Sequence, residues 1–311
     1  MNKPVFFDLQ VNGFAGVDFQ SPELTLTGMQ AAVAGLERHR THGILATLIT
    51  DSVEALCRKL ENLEALRKQD SRVAAMVKGY HLEGPWISTE AGFHGAHSKE
   101  LACPARLEDF QRLFDASGGN LKLITLAPEV EGTIEAISSA VTQGVRIGLG
   151  HTNAGADSID AAIQAGATLA THLGNAVPLE IHRHDNVVQR LLARDELIAC
   201  LIPDKIHLPA FVLQNFFRAK PQGKVFFTTD CMAAAGMPPG LYSLAGYELE
   251  VGEDGIVHLP GDDRFAGSSL TMDAAYRNVI DCLGLEEGAA EAMCSSLPAE
   301  HFGIRVQAPD C

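Results

Sequence analysis

Four side chains able to bind a metal ion or move a proton stand where apolar, β-prone runs stop: Glu83, His151, His172 and Asp230. They close the segments AMVKGYHLE, VRIGLGH, ATLATH and KVFFTTD, so each is expected at or near the carboxyl end of a strand. Parallel α/β folds keep their chemistry at that end of the sheet. One carboxylate and two imidazoles suit a single divalent cation with a coordination position left for water, the pattern of a catalytic rather than a closed structural site. A second carboxylate beside that water would serve as general base. Any one of these residues alone has an ordinary structural explanation, since a lone histidine at a strand end is more often a hydrogen-bonded scaffold residue. Four of them at four strand ends is a constellation.

The elements that must position them follow from periodicity. Short β-branched or apolar runs alternate with longer stretches of helical period, as in βα units. Strands are expected over residues 5–11, 46–50, 74–82, 121–126, 145–149, 168–171, 198–202 and 225–229. Helices are expected between them over 26–42, 53–68, 107–116, 132–142, 158–164, 187–193 and 209–218, with two more over 270–282 and 286–295. Eight strands and a closing helical segment match a (β/α)8 TIM barrel, of one domain spanning residues 1–311. On this count Glu83, His151, His172 and Asp230 end the third, fifth, sixth and eighth strands. A Gly-punctuated stretch over 241–259, with the turn Gly252-Glu253-Asp254-Gly255, predicts a β-hairpin insertion.

Composition narrows the partners. Lys and Arg total 24 against 39 Asp and Glu, a formal charge of −15, which excludes a broad electropositive surface for nucleic acid or anionic lipid. A small anion could still be held by local Arg, His and backbone N–H groups. No apolar run is long enough to span a membrane and the N-terminal segment has no signal-like apolar stretch. Cys57, Cys103, Cys200, Cys231, Cys282, Cys294 and Cys311 are an odd set without C-x-x-C spacing, which fits a reducing compartment. A cytoplasmic protein is expected.

The segments DLQVNG (8–13), HLEGPW (81–86), GAH (95–97), LAPE (126–129), GHTNA (150–154), THLGNAVP (171–178), TTDCMAAAG (228–236) and GSSLTM (267–272) occur in an order that resembles the N-acetylglucosamine-6-phosphate deacetylases of the amidohydrolase superfamily. The likeness runs from residue 8 to about residue 300. It implies a metal-dependent hydrolase that removes the acetyl group from an amino-sugar phosphate, most simply N-acetylglucosamine 6-phosphate. The family's metal ligands fall on Glu83, His151 and His172, and its acid/base on Asp230. His207, in IPDKIHLP, and His97 fall on substrate contacts, with His94 three residues earlier as the alternative to His97. The phosphate would be held by backbone N–H groups at Asn175-Ala176 and by Arg183, which the family contributes from a neighbouring subunit, so a homodimer is implied. Arg183 sits in the atypical run LEIHRHDN, and Gly174 replaces a commonly aromatic residue.

In the first strand, where many amidohydrolases carry H-x-H, the chain has Gln10 and Asn12. Neutral amides are weak ligands beside imidazole, so one tightly held ion is expected, with zinc the default and Fe2+ or Mn2+ also suited to the donors. The resemblance further implies an accessory β-sandwich that this chain has little or no material to build. The expected chemistry is attack of water on the acetyl carbonyl, with Asp230 taking the water's proton and passing it to the departing nitrogen. A different N-acyl amino sugar or small amide is the alternative substrate, and a non-catalytic sugar-binding barrel the alternative function.

Overall fold

The computed structural model describes residues 3–258 and 265–306, so Leu259 at the end of the expected insertion, and Cys311, lie outside the described residues. Eight parallel strands form one sheet: β1 (Phe6–Val11), β4 (Thr41–Ile49), β5 (Val77–Glu83), β6 (Leu121–Leu126), β7 (Arg146–Leu149), β8 (Leu169–Ala170), β9 (Ile198–Leu201) and β10 (Val225–Phe227). Between β1 and β4 lie a two-residue antiparallel pair, β2 (Gly13–Phe14) with β3 (Val17–Asp18), and helix α1 (Leu26–Arg38). The outer helices are α2 (Val53–Gln69), α4 (Leu107–Ala116), α5 (Thr133–Thr142), α6 (Ala156–Ala165), α7 (Val187–Leu192), α8 (Ala210–Ala219), α9 (Met272–Leu283) and α10 (Glu287–Met293). Their apolar faces, such as Leu56, Leu60 and Leu63 on α2, pack against the outward residues of the strands in one continuous core.

Several boundaries differ from expectation by a few residues, and two of the differences have clear local causes. Residues 74–76 belong to a short helix, α3 (Ser71–Met76), because Asp70 caps it by accepting from the N–H groups of Arg72 and Val73. His42 lies in β4, not in α1, because the chain turns at Arg40, whose φ is 64°. A further short helix, α11 (Ser296–His301), plugs the barrel floor: Ala299 and Phe302 pack with Phe7, Leu45, Leu123, Leu169 and Phe226, which fill the lower interior.

The interior changes character one layer higher. Thr47, His81, Thr125 and Thr171 replace aliphatic residues there and form a buried chain of hydrogen bonds. His81 Nδ1 is 3.3 Å from Thr47 Oγ1, His81 Nε2 is 2.8 Å from Thr125 Oγ1, and Thr125 and Thr171 hydroxyls are 2.7 Å apart. Burial pushes His81 down to about 4, so its neutral ring can donate with one nitrogen and accept with the other.

The sheet closes between β10 and β1 through a single isolated bridge, Val11 with Cys231, rather than a ladder. A carboxylate supplements it. Asp8 is fully buried and accepts from Thr228 Oγ1 at 2.6 Å, Thr229 Oγ1 at 2.5 Å and Thr229 N at 3.3 Å. The stretch after β10 carries β11 (Gly240–Leu244), β12 (Tyr247–Val251) and β13 (Val257–His258), a three-stranded antiparallel sheet. Its Leu244, Leu249 and Val251 pack on Ile49 and Met232 at the barrel mouth. Among the described residues these three strands and the β2–β3 pair are the only strands outside the barrel, and none of them forms a β-sandwich.

Candidate metal centre and active site

All four residues singled out by the sequence lie at the carboxyl rim, and the chain turns them inward in a characteristic way. Glu83 is the last residue of β5, whereas His151, His172 and Asp230 lie just beyond β7, β8 and β10. Their φ angles are 51°, 28° and 52°, in the left-handed region that is costly for a residue with a Cβ. Such a turn folds the side chain back over the barrel axis instead of letting it run on with the strand. Thr152 and Asn153 help to hold it: the Thr152 hydroxyl donates to Glu129 at 2.5 Å and Asn153 N donates to the same carboxylate at 2.7 Å. The carbonyl of His151 accepts from Ser88 N at 2.9 Å.

Three lone-pair donors meet at one point. Glu83 Oε1 is 2.8 Å from His172 Nε2 and 3.2 Å from His151 Nε2, and the two imidazole nitrogens are 3.1 Å apart. Ligands on a common zinc ion at about 2.0–2.2 Å would be separated by about 2.8–3.6 Å, from octahedral to tetrahedral geometry, so the donors are already spaced as one coordination edge set. The Nδ1 atoms of both rings are buried without a hydrogen-bond partner among the described residues.

His97 is a rival member of the cluster, since one ligand atom from each of Glu83, His97 and His151 also lies within 4.8 Å of the others. Its surroundings give it another role. Thr50 N points at His97 Nδ1 at 3.4 Å and the Thr50 hydroxyl lies 2.7 Å from the same atom. A backbone N–H can only donate, so Nδ1 is the acceptor and the ring proton sits on Nε2. That nitrogen faces Glu83 Oε2 at 3.7 Å as a donor, with no lone pair for a cation. His172, with Nε2 inside the tight triangle, is the better third ligand. His94 supports the loop from outside, its Nδ1 lying 3.1 Å from the carbonyl of His97.

Gln10 and Asn12 contact the site as amides: Gln10 Nε2 donates to Glu83 Oε1 at 2.9 Å and Asn12 Nδ2 donates to Asp230 Oδ1 at 2.8 Å. Burial works against ionisation of Glu83, but the hydrogen bonds with His151, His172 and His97 outweigh it and hold its carboxyl well below the usual range. Burial above all, with His97 close by, pushes His151 down to about 4. Burial acts on His172 in the same sense, yet the carboxylates of Glu83 and Asp230 together raise it. Asp230 is pushed up to about 7 by burial and by the charge of Glu83, against the opposing pull of His172 and His207. A carboxylate with that affinity for a proton is matched to general acid–base work near neutrality.

The remaining expected residues are less drawn in. Asn175 folds back on the turn, its N and Nδ2 both donating to the carbonyl of His172 at 2.9 and 3.1 Å, and Ala176 follows with φ 52°. Gly174 has φ 96°, and a Cβ there would meet Phe216 at 2.7 Å, so the ring on α8 takes the space a larger residue would fill. Arg183 is exposed and pairs with no described acidic residue. His207 is tied to Asp204, with Nδ1 2.6 Å from Oδ2. Thr50, Asp204, Glu129 and Asp8 were given no role from the sequence, although Asp8, Asp204 and Glu129 stand inside the quoted runs DLQVNG, IPDKIHLP and LAPE.

Among known proteins, no family model matches the chain. N-acetylglucosamine-6-phosphate deacetylase of Mus musculus is 33% identical over 311 residues, 97% of this chain and 74% of that protein. N-acetylgalactosamine-6-phosphate deacetylase of Escherichia coli O157:H7 is 33% identical over 305 residues, 97% of this chain and 78% of that protein. Among solved structures, N-acetyl-D-glucosamine-6-phosphate deacetylase of Mycobacterium smegmatis, an aspartate-to-alanine mutant in complex with N-acetyl-D-glucosamine-6-phosphate, superposes with a TM-score of 0.87 at 31% identity, covering 97% of this chain and 78% of that one. With its eight-stranded barrel and near-complete alignment, this chain belongs to the N-acetylglucosamine-6-phosphate deacetylase family.

Proposed function

We propose that the chain is a metal-dependent amide hydrolase that converts N-acetylglucosamine 6-phosphate to glucosamine 6-phosphate and acetate. The observation that carries this is the meeting of Glu83 Oε1, His151 Nε2 and His172 Nε2 within 3.2 Å of one another, with Asp230 at the same rim. These three donors would hold one divalent ion, zinc by default and Fe2+ or Mn2+ as alternatives, which would act as a Lewis acid on the acetyl carbonyl and acidify attacking water.

The chain's own residues supply the rest. Asp230 takes a proton from the attacking water and delivers it to the sugar nitrogen, which is too basic to leave as an anion. Asn12 keeps the Asp230 carboxylate turned toward the centre. His97, with its proton on Nε2, offers a hydrogen bond to an acceptor on the substrate. His207 contacts the sugar or the acyl group. Backbone N–H groups at Asn175-Ala176 and the guanidinium of Arg183 bind the phosphate, and an exposed Arg183 suits donation to the neighbouring site of a homodimer. Residues 1–311 act as one domain. A cytoplasmic location is supported by free thiols at Cys57, Cys103, Cys200, Cys231, Cys282 and Cys294. No helix among the described residues is long and apolar enough to cross a membrane.

A second sugar is favoured by the 33% identity to the Escherichia coli N-acetylgalactosamine-6-phosphate deacetylase. The test is acetate release from N-acetylglucosamine and N-acetylgalactosamine, each with and without the 6-phosphate, by protein of known metal content. Turnover of the 6-phosphates only is expected. Protein carrying one equivalent of metal that releases no acetate from either 6-phosphate would refute the proposal.

A further inference from the structure

The turn before α8 contains a carboxylate with both oxygens engaged. Asp204 Oδ1 accepts from the backbone N–H groups of Ile206 and His207, both at 2.8 Å, and Asp204 Oδ2 lies 2.6 Å from His207 Nδ1. Both side chains are almost fully buried, with 6% and 7% exposure. The turn is bought at the expense of Lys205, which sits at φ 68° where glycine would be the cheap choice. The two backbone hydrogen bonds to Asp204 hold Lys205 there, and this conformation brings the His207 ring back over the carboxylate.

The chemistry of the pair fixes the proton. A carboxylate is an acceptor only, so His207 Nδ1 must carry hydrogen. The opposite nitrogen, Nε2, makes no hydrogen bond with any described residue, and the ring lies close enough to the rim to influence Asp230. Phe265 packs on the ring with centroids 4.9 Å apart and limits its rotation. His97 has the reverse arrangement, with Nδ1 accepting from Thr50 and the proton on Nε2.

We propose that Asp204 is a positioning residue that locks His207 in the Nδ1–H tautomer, so that the site presents one histidine nitrogen as an acceptor, His207 Nε2, and one as a donor, His97 Nε2. His207 Nε2 then recognises a hydrogen-bond donor on the substrate, a sugar hydroxyl or the amide N–H, while His97 Nε2–H recognises an oxygen. The catalytic consequence rests on the deacetylase assignment; the tautomer itself does not.

The test separates the two. Asp204→Asn keeps an oxygen for the backbone N–H groups of Ile206 and His207 but turns an NH2 donor toward Nδ1, which forces the ring proton to Nε2. Long-range 1H–15N spectra of metal-free protein at pH 8, with His207→Gln to assign the signals, should show His207 as Nδ1–H in the parent and Nε2–H in the Asn variant. Deacetylation by the metal-loaded variant should fall by about 10–100-fold in kcat/KM, the scale of losing an outer partner of a site histidine. Asp204→Glu, which retains an acceptor, should keep the Nδ1–H signal and regain part of the rate. An Nε2–H signal for His207 in the parent would overturn the inference, whatever the activity. So would equal rate losses in the Asn and Glu variants with the tautomer unchanged in both, because Asp204 would then serve the turn alone. A parent with the Nδ1–H signal but no deacetylase activity would leave the tautomer lock standing and strike only at the substrate.

Discussion

Replacing Asp230 with Asn should abolish turnover and yet make the metal-free protein more stable at pH 8. The Asp230 carboxyl is pushed from 3.8 to about 7 by burial and by the neighbouring Glu83, so the folded chain holds its proton far more tightly than the unfolded chain does. Below pH 4 the carboxyl is protonated in both states and contributes no difference. Between pH 4 and 7 the unfolded chain releases the proton first, and the folded state loses stability as pH rises. At about 1.4 kcal/mol per pH step, the full deficit above pH 7 is on the order of 2–4 kcal/mol once adjustment of Glu83 is allowed for. An Asn side chain does not titrate, and its oxygen can still accept from Asn12 Nδ2, which lies 2.8 Å from Oδ1 in the parent. Urea unfolding of chelator-treated parent and Asp230→Asn from pH 4 to 8 should therefore give curves that coincide in acid and separate in favour of the variant as pH rises. Equal stability at pH 8, or a gap that does not narrow toward pH 4, would refute the claim that burial and Glu83 together raise Asp230.

Three other perturbations are informative. Glu83→Gln should lower metal content from one equivalent to well below it and reduce kcat by about 1000-fold or more, read by elemental analysis beside the acetate assay, because an amide is a poor cation ligand. Asp8→Ala should cost about 2–4 kcal/mol in urea unfolding, since it leaves the hydroxyls of Thr228 and Thr229 without their buried acceptor at the barrel seam. His301, on the floor helix, is pushed down to about 4 by burial and the nearby Arg146 and Lys224, so its contribution is complete above pH 6.5 and declines as pH falls toward 4. His301→Gln should flatten that part of the pH–stability curve by roughly 1–2 kcal/mol, seen as a smaller acid-side fall in Tm.

The eight strands were legible because each carries a run of apolar, β-prone residues bounded by turn signals, and residues 121–126 coincide with β6 to the residue. Of the boundaries that shifted, those at His42 and at residues 74–76 turn on contacts that periodicity does not register: the reversal at Arg40 and the cap supplied by Asp70. The charged rim could be read from residue type and spacing. What could not be read were the groups that orient it. Thr50 selects the tautomer of His97 from a position 47 residues away in the chain, and Asp8 reaches the strand next to Asp230 across a separation of 220. Such partners are neighbours only once the cylinder has closed. The polar layer of Thr47, His81, Thr125 and Thr171 was hidden for a related reason, as each looks like an ordinary strand residue until the closed barrel brings β4, β5, β6 and the end of β8 together.

The left-handed backbone at His151, His172 and Asp230 also restricts what evolution can try at these sites. Asn, Asp, His and Gly tolerate that conformation at modest cost, whereas Val, Ile or Thr would strain the chain by more than 1 kcal/mol before any chemistry was lost. The peptide geometry thus screens candidate replacements ahead of selection on catalysis. A lineage that drifts toward another reaction would find its nearest accessible substitutes among the same few polar side chains, while Glu83, which ends β5 in ordinary extended backbone, is the one member of the quartet free of that filter.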